Sequence, residues 1–186
     1  VISTTIDNAK VVELPLNGRN FNNLVRLTPG ATRGSNGGGP TLNAQTWAVT
    51  GSRSDNSNYT LDGTFNNGSF FKTAAIAPSI DAIQEFKVQS NTMSAEFGFT
   101  AGGVINIVTK SGTNQYHGSL VYFARNDAFD ARRAYTASRE PFRYHQYGGT
   151  LGGPILKNRL FNFFTFEKWD NRQPYTRVMT LPTDLE

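Results

Sequence analysis

The chain has 186 residues, of which 38% are hydrophobic and 12% aromatic but only 17% charged, and its formal net charge is +4. The aromatic content argues against disorder, because Phe and Tyr can bury enough surface to offset chain entropy. The absence of cysteine excludes disulfide scaffolds, cysteine-ligated metal centres and thiol nucleophiles. The longest apolar runs are about five residues, whereas a membrane-spanning helix needs roughly 18. The basic residues do not form the dense stripe that is typical of a nucleic-acid module.

Residues 1–110 predict a small α+β domain made of short elements separated by turns. Helical spacing predicts one short helix over 20–27, which Pro29-Gly30 ends, and Pro78 favours the start of another over 78–83. Strands are predicted over 46–51, 58–61, 85–89 and 103–110, and a turn at Asn17-Gly18.

Two motifs of this domain have a structural interpretation. Asp62-Gly63 is a pair typical of a tight hairpin turn with left-handed dihedrals. Gly102 and Gly103 lack Cβ, so the backbone can turn sharply or approach another surface closely. The strand that follows, which carries Asn106, is apolar on both faces and is therefore expected to be buried.

The remainder of the chain changes character. Strands of about ten residues are predicted over 115–125, 143–151 and 160–168, with no helix between them, and a tilted strand of this length can cross a bilayer. The connections contain 17 residues (126–142) and eight residues (152–159). Long outer loops and short periplasmic turns are typical of outer-membrane barrels.

Alternation assigns faces to two of these strands. In the second, Tyr147, Gly149 and Leu151 are predicted to face lipid, whereas Gln146, Gly148 and Thr150 face the lumen. In the first strand, the side predicted to face lipid carries Tyr116, Leu120, Tyr122 and Ala124. The other side carries the polar residues Gln115, His117, Ser119 and Arg125, and it also carries the apolar residues Val121 and Phe123. The third strand is aromatic on both faces and has no predicted orientation. Periodicity alone leaves a soluble β-sandwich open.

Several segments carry a family resemblance. The runs Ile83–Val88, Ser94–Gly98 and Ala101–Gly112 resemble the end of the plug domain of TonB-dependent outer-membrane receptors. Glu13–Phe21, Tyr59–Gly63 and Tyr147–Pro154 are similar to the Oar-like branch of that family. The resemblance implies an α+β plug domain over residues 1–110. Residues 111–186 would then be the first antiparallel strands of a transmembrane β-barrel of about 22 strands. We therefore expect a fragment whose barrel is not closed.

The resemblance also implies a function and partners. Such receptors of the bacterial outer membrane, embedded in lipid, import extracellular ligands with energy from the TonB complex, which would bind a segment upstream of this chain. No enzyme activity, cofactor or nucleic acid is implied, and the ligand stays open among peptide, protein and glycan. Many siderophore and vitamin receptors carry Arg-Gly-Pro where this chain has Gln89-Ser90-Asn91, so those ligands are not carried over.

Charged residues suggest how a plug would be held in the barrel. Arg53, Glu85 and Lys87 of the plug are predicted to form a lock with wall residues such as Glu167, because a charge enclosed in the lumen must be paired or hydrated. The alternative is a solvated plug surface. Ligand contacts are expected from the loops 33–46, 64–73 and 126–142.

The sequence lacks the residue patterns that metal binding, nucleophilic catalysis or phosphate binding would require. His117 and His145 lie on different predicted strands without acidic residues at metal-ligand spacing. There is no Gly-x-Ser-x-Gly nucleophile motif, and no Lys-Ser or Lys-Thr follows the glycines at 148–153, as a phosphate loop would need. Two alternatives to a transporter stay open, a surface β-protein or adhesin-type binding module and a secreted hydrolase, but the sequence lacks a nucleophile and base for the hydrolase.

Overall fold

The computed structural model describes residues 2–34, 45–68, 72–91, 102–132, 139 and 141–172. The Ser94–Gly98 motif and much of the predicted ligand-binding loops lie outside the described residues. In the part of the chain that is described, no helix is long and apolar enough to span a membrane.

The N-terminal domain is built on a five-stranded mixed sheet. Its strands are β1 (Ile2–Asp7), β4 (Asn58–Leu61), β5 (Thr64–Phe65), β6 (Ile83–Asn91) and β7 (Val104–Thr109). They lie in the order β1-β6-β7-β4-β5, in which only the β4–β7 pair is parallel. A small antiparallel pair, β2 (Ala31–Arg33) and β3 (Trp47–Val49), packs beside it. The strand over 58–61 is found as predicted, whereas β1 was not predicted.

Helical structure in the described residues is sparse. The one α-helix, α1 (Asn8–Glu13), is capped at its N-terminus by Asp7, whose side chain accepts a hydrogen bond from the Lys10 amide at 3.2 Å. The helices predicted over 20–27 and 78–83 are 3₁₀ turns, Phe21–Leu27 and Ile80–Ala82. Their hydrogen bonds span three residues, as in Ala82 N to Ser79 O at 3.0 Å, which is the 3₁₀ pattern.

The core lies on one face of the five-stranded sheet. Cross-strand neighbours such as Phe86 with Ile107 and Val88 with Ile105 place their side chains on the same face. The helix and the turns cover that face with the fully buried Val11, Leu24 and other apolar residues. Tyr59 is also fully buried there, and burial raises its pKa. The predicted burial of the strand after Gly103 is confirmed, because Val104, Ile105 and Ile107 are inaccessible.

The second unit is a three-stranded antiparallel sheet, which we call the wall. It consists of β8 (His117–Asn126), β9 (Arg143–Leu156) and β10 (Leu160–Arg172), with β9 in the centre. Its strands are not closed into a barrel.

The central wall strand is longer than predicted. It continues from Leu151 to Leu156, so its connection to β10 is a turn at 157–159 and not eight residues. Gly152, Gly153 and Pro154 lie inside the strand. Proline is tolerated because β8 pairs with β9 only as far as Gly152, so no β8 carbonyl needs the missing Pro154 amide.

The register decides which side chains share a face of the wall. Leu120, Gly149 and Phe166 lie opposite one another on the face that is turned away from the N-terminal domain, which we call the outer face. Leu120 is 93% exposed there. On the inner face Phe123, Gln146 and Trp169 are neighbours, and Gln146 is only 2% exposed. The predicted division of side chains between the two faces of the first two strands is therefore confirmed. The third strand is oriented by its partners, with Phe164 and Phe166 outward and Phe163, Thr165, Glu167 and Trp169 inward.

Candidate functional site between the N-terminal domain and the wall

The N-terminal domain contacts the inner face of the wall through the turn that carries Arg19. The backbone of Gly18 and Arg19 is left-handed, with φ of 65° and 47°. Only glycine adopts this region without cost, so the Asn17-Gly18-Arg19 turn holds Arg19 in a conformation that its surroundings must support.

A buried ion pair provides this support. The Arg19 guanidinium Nη2 lies 2.5 Å from Oδ2 of Asp81, and the two side chains are 13% and 9% exposed. Asp81 belongs to the 3₁₀ turn Ile80–Ala82, which immediately precedes β6. The pair therefore ties two turns of the N-terminal domain together at the surface that faces the wall.

The same guanidinium reaches the wall. Its Cζ lies 4.3 Å from the centre of the Phe123 ring, which projects inward from β8. This is a cation–π contact, in which the negative face of the ring attracts the cation. Arg19 thus makes its ion pair within one unit and its aromatic contact with the other, and we call Arg19, Asp81 and Phe123 the arginine contact.

Two hydroxyl groups form a second contact. Ser79 Oγ lies 3.0 Å from Thr165 Oγ1 of β10. A small cavity lies between the N-terminal domain and the wall, lined by residues that include Gly18, Pro78 and Glu167. Its volume is about 10 Å³, which is no more than the space that about one water molecule occupies. The surfaces are therefore closely packed at this place.

The inner face of the wall has its own polar chain. Tyr144 Oη donates to Gln146 Oε1 at 3.0 Å, and Gln146 Nε2 donates in turn to Glu167 Oε1. Glu167, predicted as the wall partner of the lock, is thus hydrogen-bonded to a neighbouring strand of the wall.

The structure does not bring the four predicted lock residues together. Glu85 and Lys87 lie on β6, on the face of the sheet opposite the core, and Arg53 precedes the 3₁₀ turn Ser54–Asn56. Within the described part of the chain, none of them forms an ion pair with Glu167.

The predicted turn carries a specific pair of hydrogen bonds. Asp62 and Gly63 have φ of 49° and 78°, and the Asp62 carboxylate accepts from both N and Oγ1 of Thr109 at 2.7 Å. The hairpin between β4 and β5 is thereby fixed to the end of β7. Asn106 in β7 accepts a hydrogen bond from Thr60 Oγ1 at 3.0 Å.

The two glycines before β7 lie where a side chain would not fit. A Cβ on Gly102 would come within 2.7 Å of the Asn56 backbone, and one on Gly103 within 2.8 Å of Val49 Cβ. Both glycines therefore allow β7 to begin directly against the neighbouring segments.

Among the described residues, no group of three His, Cys, Asp or Glu side chains is placed to hold a metal ion. His117 stacks on Phe163 with ring centres 6.3 Å apart, and His145 Nδ1 lies 3.0 Å from Tyr122 Oη. Each of the two histidines therefore contacts a different aromatic residue of the wall.

Sequence reasoning missed the arginine contact. The Asn17-Gly18 turn indicated unusual backbone, but nothing local marked Arg19 as the residue that the turn would present. Asp81 lies 62 residues further along the chain, so its pairing with Arg19 could not be read from spacing. Phe123 was recognised only as an apolar residue on a polar face.

Comparison with known proteins shows what the chain is similar to. Residues 108–186 match the family model described as an outer membrane beta barrel domain. The TonB-dependent transporter Oar of Myxococcus xanthus is 31% identical over 169 residues, which are 87% of this chain and 15% of that relative. The chain therefore spans about 15% of the length of this relative.

Two solved structures share the fold. The siderophore receptor PirA from Acinetobacter baumannii has a TM-score of 0.66 at 22% identity, over 91% of this chain and 24% of that one. The ferric citrate transporter FecA in its unliganded form has a TM-score of 0.70 at 15% identity, over 91% of this chain and 25% of that one. These relatives are transporters and receptors, not enzymes. The chain is therefore a protein of the bacterial outer membrane that is similar to the TonB-dependent transporter Oar and has the fold of TonB-dependent receptors.

Proposed function

We propose that residues 1–110 are a plug that gates ligand import through the barrel whose first strands lie in residues 111–186. The TonB complex would act through a segment upstream of residue 1, the function requires no catalytic step or cofactor, and the ligand is a peptide, protein or glycan. The observation that carries the proposal is the arginine contact, through which the N-terminal domain packs on the inner face of the wall.

The strength of this interface suits a gate. A cation–π contact contributes about 0.5–2 kcal/mol and a hydroxyl pair about 0.5–1.5 kcal/mol. Contacts of this size hold the plug closed but can be outweighed by a ligand that prefers a shifted plug, which is a population shift. The buried Arg19–Asp81 pair lies within the plug and remains intact when the plug moves away from the wall.

The outer face of the wall suits membrane lipid. Leu120, Tyr122, Leu151, Phe164 and Phe166 form a continuous exposed apolar surface. A contiguous surface of this kind is unfavourable in water, and acyl chains would cover it in the outer membrane. Lipid on one face and the plug on the other account for both sides of the wall.

The test is removal of the plug from the full-length receptor. We expect a receptor without residues 1–110 to remain heat-modifiable in the outer membrane and to sensitise cells to vancomycin, a large antibiotic that the intact outer membrane excludes. Arg53→Ala/Glu85→Ala in the same assay tests the predicted lock that also involves Lys87 and Glu167. A full-length product in the soluble fraction, or unchanged vancomycin sensitivity without the plug, would contradict the proposal.

A further inference from the structure

The linker between the two units, residues 110–116, runs along the end of the wall that carries the short turn. It begins after β7, where the Lys110 amide donates to the Ala82 carbonyl at 2.8 Å, and it ends where β8 begins at His117. It is the covalent connection from the N-terminal domain to the wall. Any force that the N-terminal domain transmits along the chain therefore reaches the wall through this segment.

The linker lies against two strands of the wall. A Cβ on Gly112 would lie 2.9 Å from the carbonyl carbon of Asn162 in β10 and closer still to its oxygen. Gly112 therefore permits a close approach that a side chain would prevent. Further along the linker, Tyr116 Oη donates to the Pro154 carbonyl of β9 at 3.1 Å. The linker thus crosses from β10 toward β8 in contact with the wall.

Between these contacts, two asparagines form a reciprocal pair of hydrogen bonds, which we call the asparagine clasp. Asn114 Nδ2 donates to Oδ1 of Asn158 at 2.7 Å, and the Asn158 backbone amide donates to Oδ1 of Asn114 at 2.8 Å. Asn158 lies in the turn between β9 and β10 with φ of 60°, a left-handed conformation that asparagine adopts more readily than most residues. The Arg159 amide closes this turn by donating to the Leu156 carbonyl at 3.1 Å. The clasp therefore fixes the linker to a turn that is itself hydrogen-bonded.

The asparagine clasp precedes the ladder that β8 forms with β9. That ladder begins at His117, which lies opposite Gly152. A pull that reached His117 directly would load the first pair of the ladder alone, and the pairs would open one after another from the strand end, where local opening costs least. Because Asn114 and Tyr116 come before His117 in the chain, their contacts with the wall bear the load first.

We propose that the linker is a mechanical stop, at which extension of the N-terminal domain ends while β8 keeps its pairing with β9. The inference rests on the proposed gating function, because it takes the TonB complex to pull on the chain from upstream of residue 1. It assigns Asn114 and Asn158 as the residues that hold the chain when the N-terminal domain leaves the wall. The clasp shares no residue with the arginine contact, so it stays closed when that contact opens.

The test is to pull on the full-length receptor in a lipid bilayer at constant force, with a handle attached at residue 1. We expect the extension to pause once about 113 residues are drawn out, which corresponds to roughly 370–410 Å at about 3.3–3.6 Å per residue. The measured quantity is the lifetime of this pause, because forced opening is governed by an opening rate.

Two variants weaken the clasp by different amounts. Asn158→Gly removes the hydrogen bond from Asn114 Nδ2 but keeps the left-handed turn, whereas Asn114→Ala removes both bonds. One net hydrogen bond corresponds to about a fivefold change, so the pause should be about fivefold shorter in the first variant and about 25-fold shorter in the second. The double variant should pause as long as Asn114→Ala does, because no bond of the clasp remains to be lost.

The matched control is Asn162→Ala. It removes an exposed amide side chain from the same end of the wall, while the atoms of Asn162 that Gly112 approaches belong to the backbone. The control should pause as the unmodified receptor does. Heat-modifiability of each variant shows that its barrel has folded before it is pulled.

Three results would overturn the inference: extension that runs into β8 without a pause, a pause that neither clasp variant shortens, or an equal shortening in the control. This failure is distinguishable from failure of the proposed function. A receptor that pauses as expected but whose loss of residues 1–110 admits no vancomycin keeps the stop and loses the gate. A receptor that shows the antibiotic phenotype without a pause keeps the gate and loses the stop.

Discussion

The arginine contact makes a quantitative prediction about movement of the proposed plug, the N-terminal domain. Phe123→Leu removes the ring below the Arg19 guanidinium but keeps an apolar side chain and the Arg19–Asp81 pair. Because Phe123 is 42% exposed, we take a value of about 1 kcal/mol, in the lower half of the cation–π range. Its loss should raise the fraction of receptors with a detached plug about fivefold, since a factor of ten corresponds to about 1.4 kcal/mol.

A second substitution separates this interface from plug stability. Arg19→Met removes the same contact with Phe123 and also leaves the Asp81 carboxylate, 9% exposed, without its partner. Breaking a buried ion pair in this way costs about 3–5 kcal/mol, so this variant should destabilise the plug itself. The coupling between the two substitutions, measured as a double-mutant cycle, should be close to the cation–π value of about 1 kcal/mol.

Hydrogen exchange of the full-length receptor, detected by mass spectrometry, measures both effects. Phe123→Leu should speed exchange in residues 17–21 and 79–83 and leave β7 unchanged, whereas Arg19→Met should also speed exchange in β7. Phe166→Leu is the matched control, because Phe166 lies on the outer face of the wall. The reasoning is refuted if Phe123→Leu has no effect on residues 17–21, or if the Phe166→Leu control has the same effect.

Three further predictions concern the plug. Burial raises the pKa of Tyr59 in the folded state. The contribution of Tyr59 to the free energy of unfolding is therefore complete below the ordinary tyrosine pKa of about 10 and falls by roughly 1.4 kcal/mol per pH unit above it. Tyr59→Phe should flatten this loss of stability in thermal melts between pH 9 and 11. Asp62→Ala removes both hydrogen bonds to Thr109 and should reduce β7 protection against hydrogen exchange by about 2 kcal/mol. Gly103→Ala places a Cβ 2.8 Å from that of Val49 and should cost about 1–3 kcal/mol of plug stability in the same exchange measurement.

Each of these predictions has a control. Tyr116→Phe removes a hydroxyl from a tyrosine that is exposed, and the same flattening there would argue against burial as the cause. Asp62→Asn keeps an acceptor for the Thr109 amide and tolerates φ > 0, so a loss as large as that of the alanine variant would contradict the hydrogen-bond explanation. Gly68→Ala meets its nearest atom at 3.4 Å and should be far milder than Gly103→Ala.

The family resemblance was readable from the sequence because its signals are local. Runs such as Ile83–Val88 and Tyr147–Pro154 carry the resemblance in consecutive residues. Alternation of polar and apolar residues predicted the faces of two wall strands, since side chains in a strand alternate with a period of two. The turn at Asp62-Gly63 is likewise a property of two adjacent residues.

The boundaries of several elements were harder to predict. The predicted second wall strand ended at Leu151, yet β9 continues to Leu156 because β10 pairs with it there, and Pro154 is tolerated because β8 pairs only as far as Gly152. The segments over 20–27 and 78–83 have helical spacing but form 3₁₀ turns. In both cases the outcome depends on which neighbours the segment meets, and this is decided by tertiary packing and not by local propensity.

The sequence by itself thus carried the resemblance to an outer-membrane receptor and the alternation that divides the side chains of β8 and β9 between two faces. Only the tertiary structure decided which charges meet. The predicted lock grouped Arg53, Glu85, Lys87 and Glu167 by charge alone, whereas the contact observed in the described residues unites Arg19, Asp81 and Phe123. The physical reason is that an ion pair or a cation–π contact needs its groups within a few ångströms, and residues from distant parts of the chain reach that distance only when turns and strand register place them there.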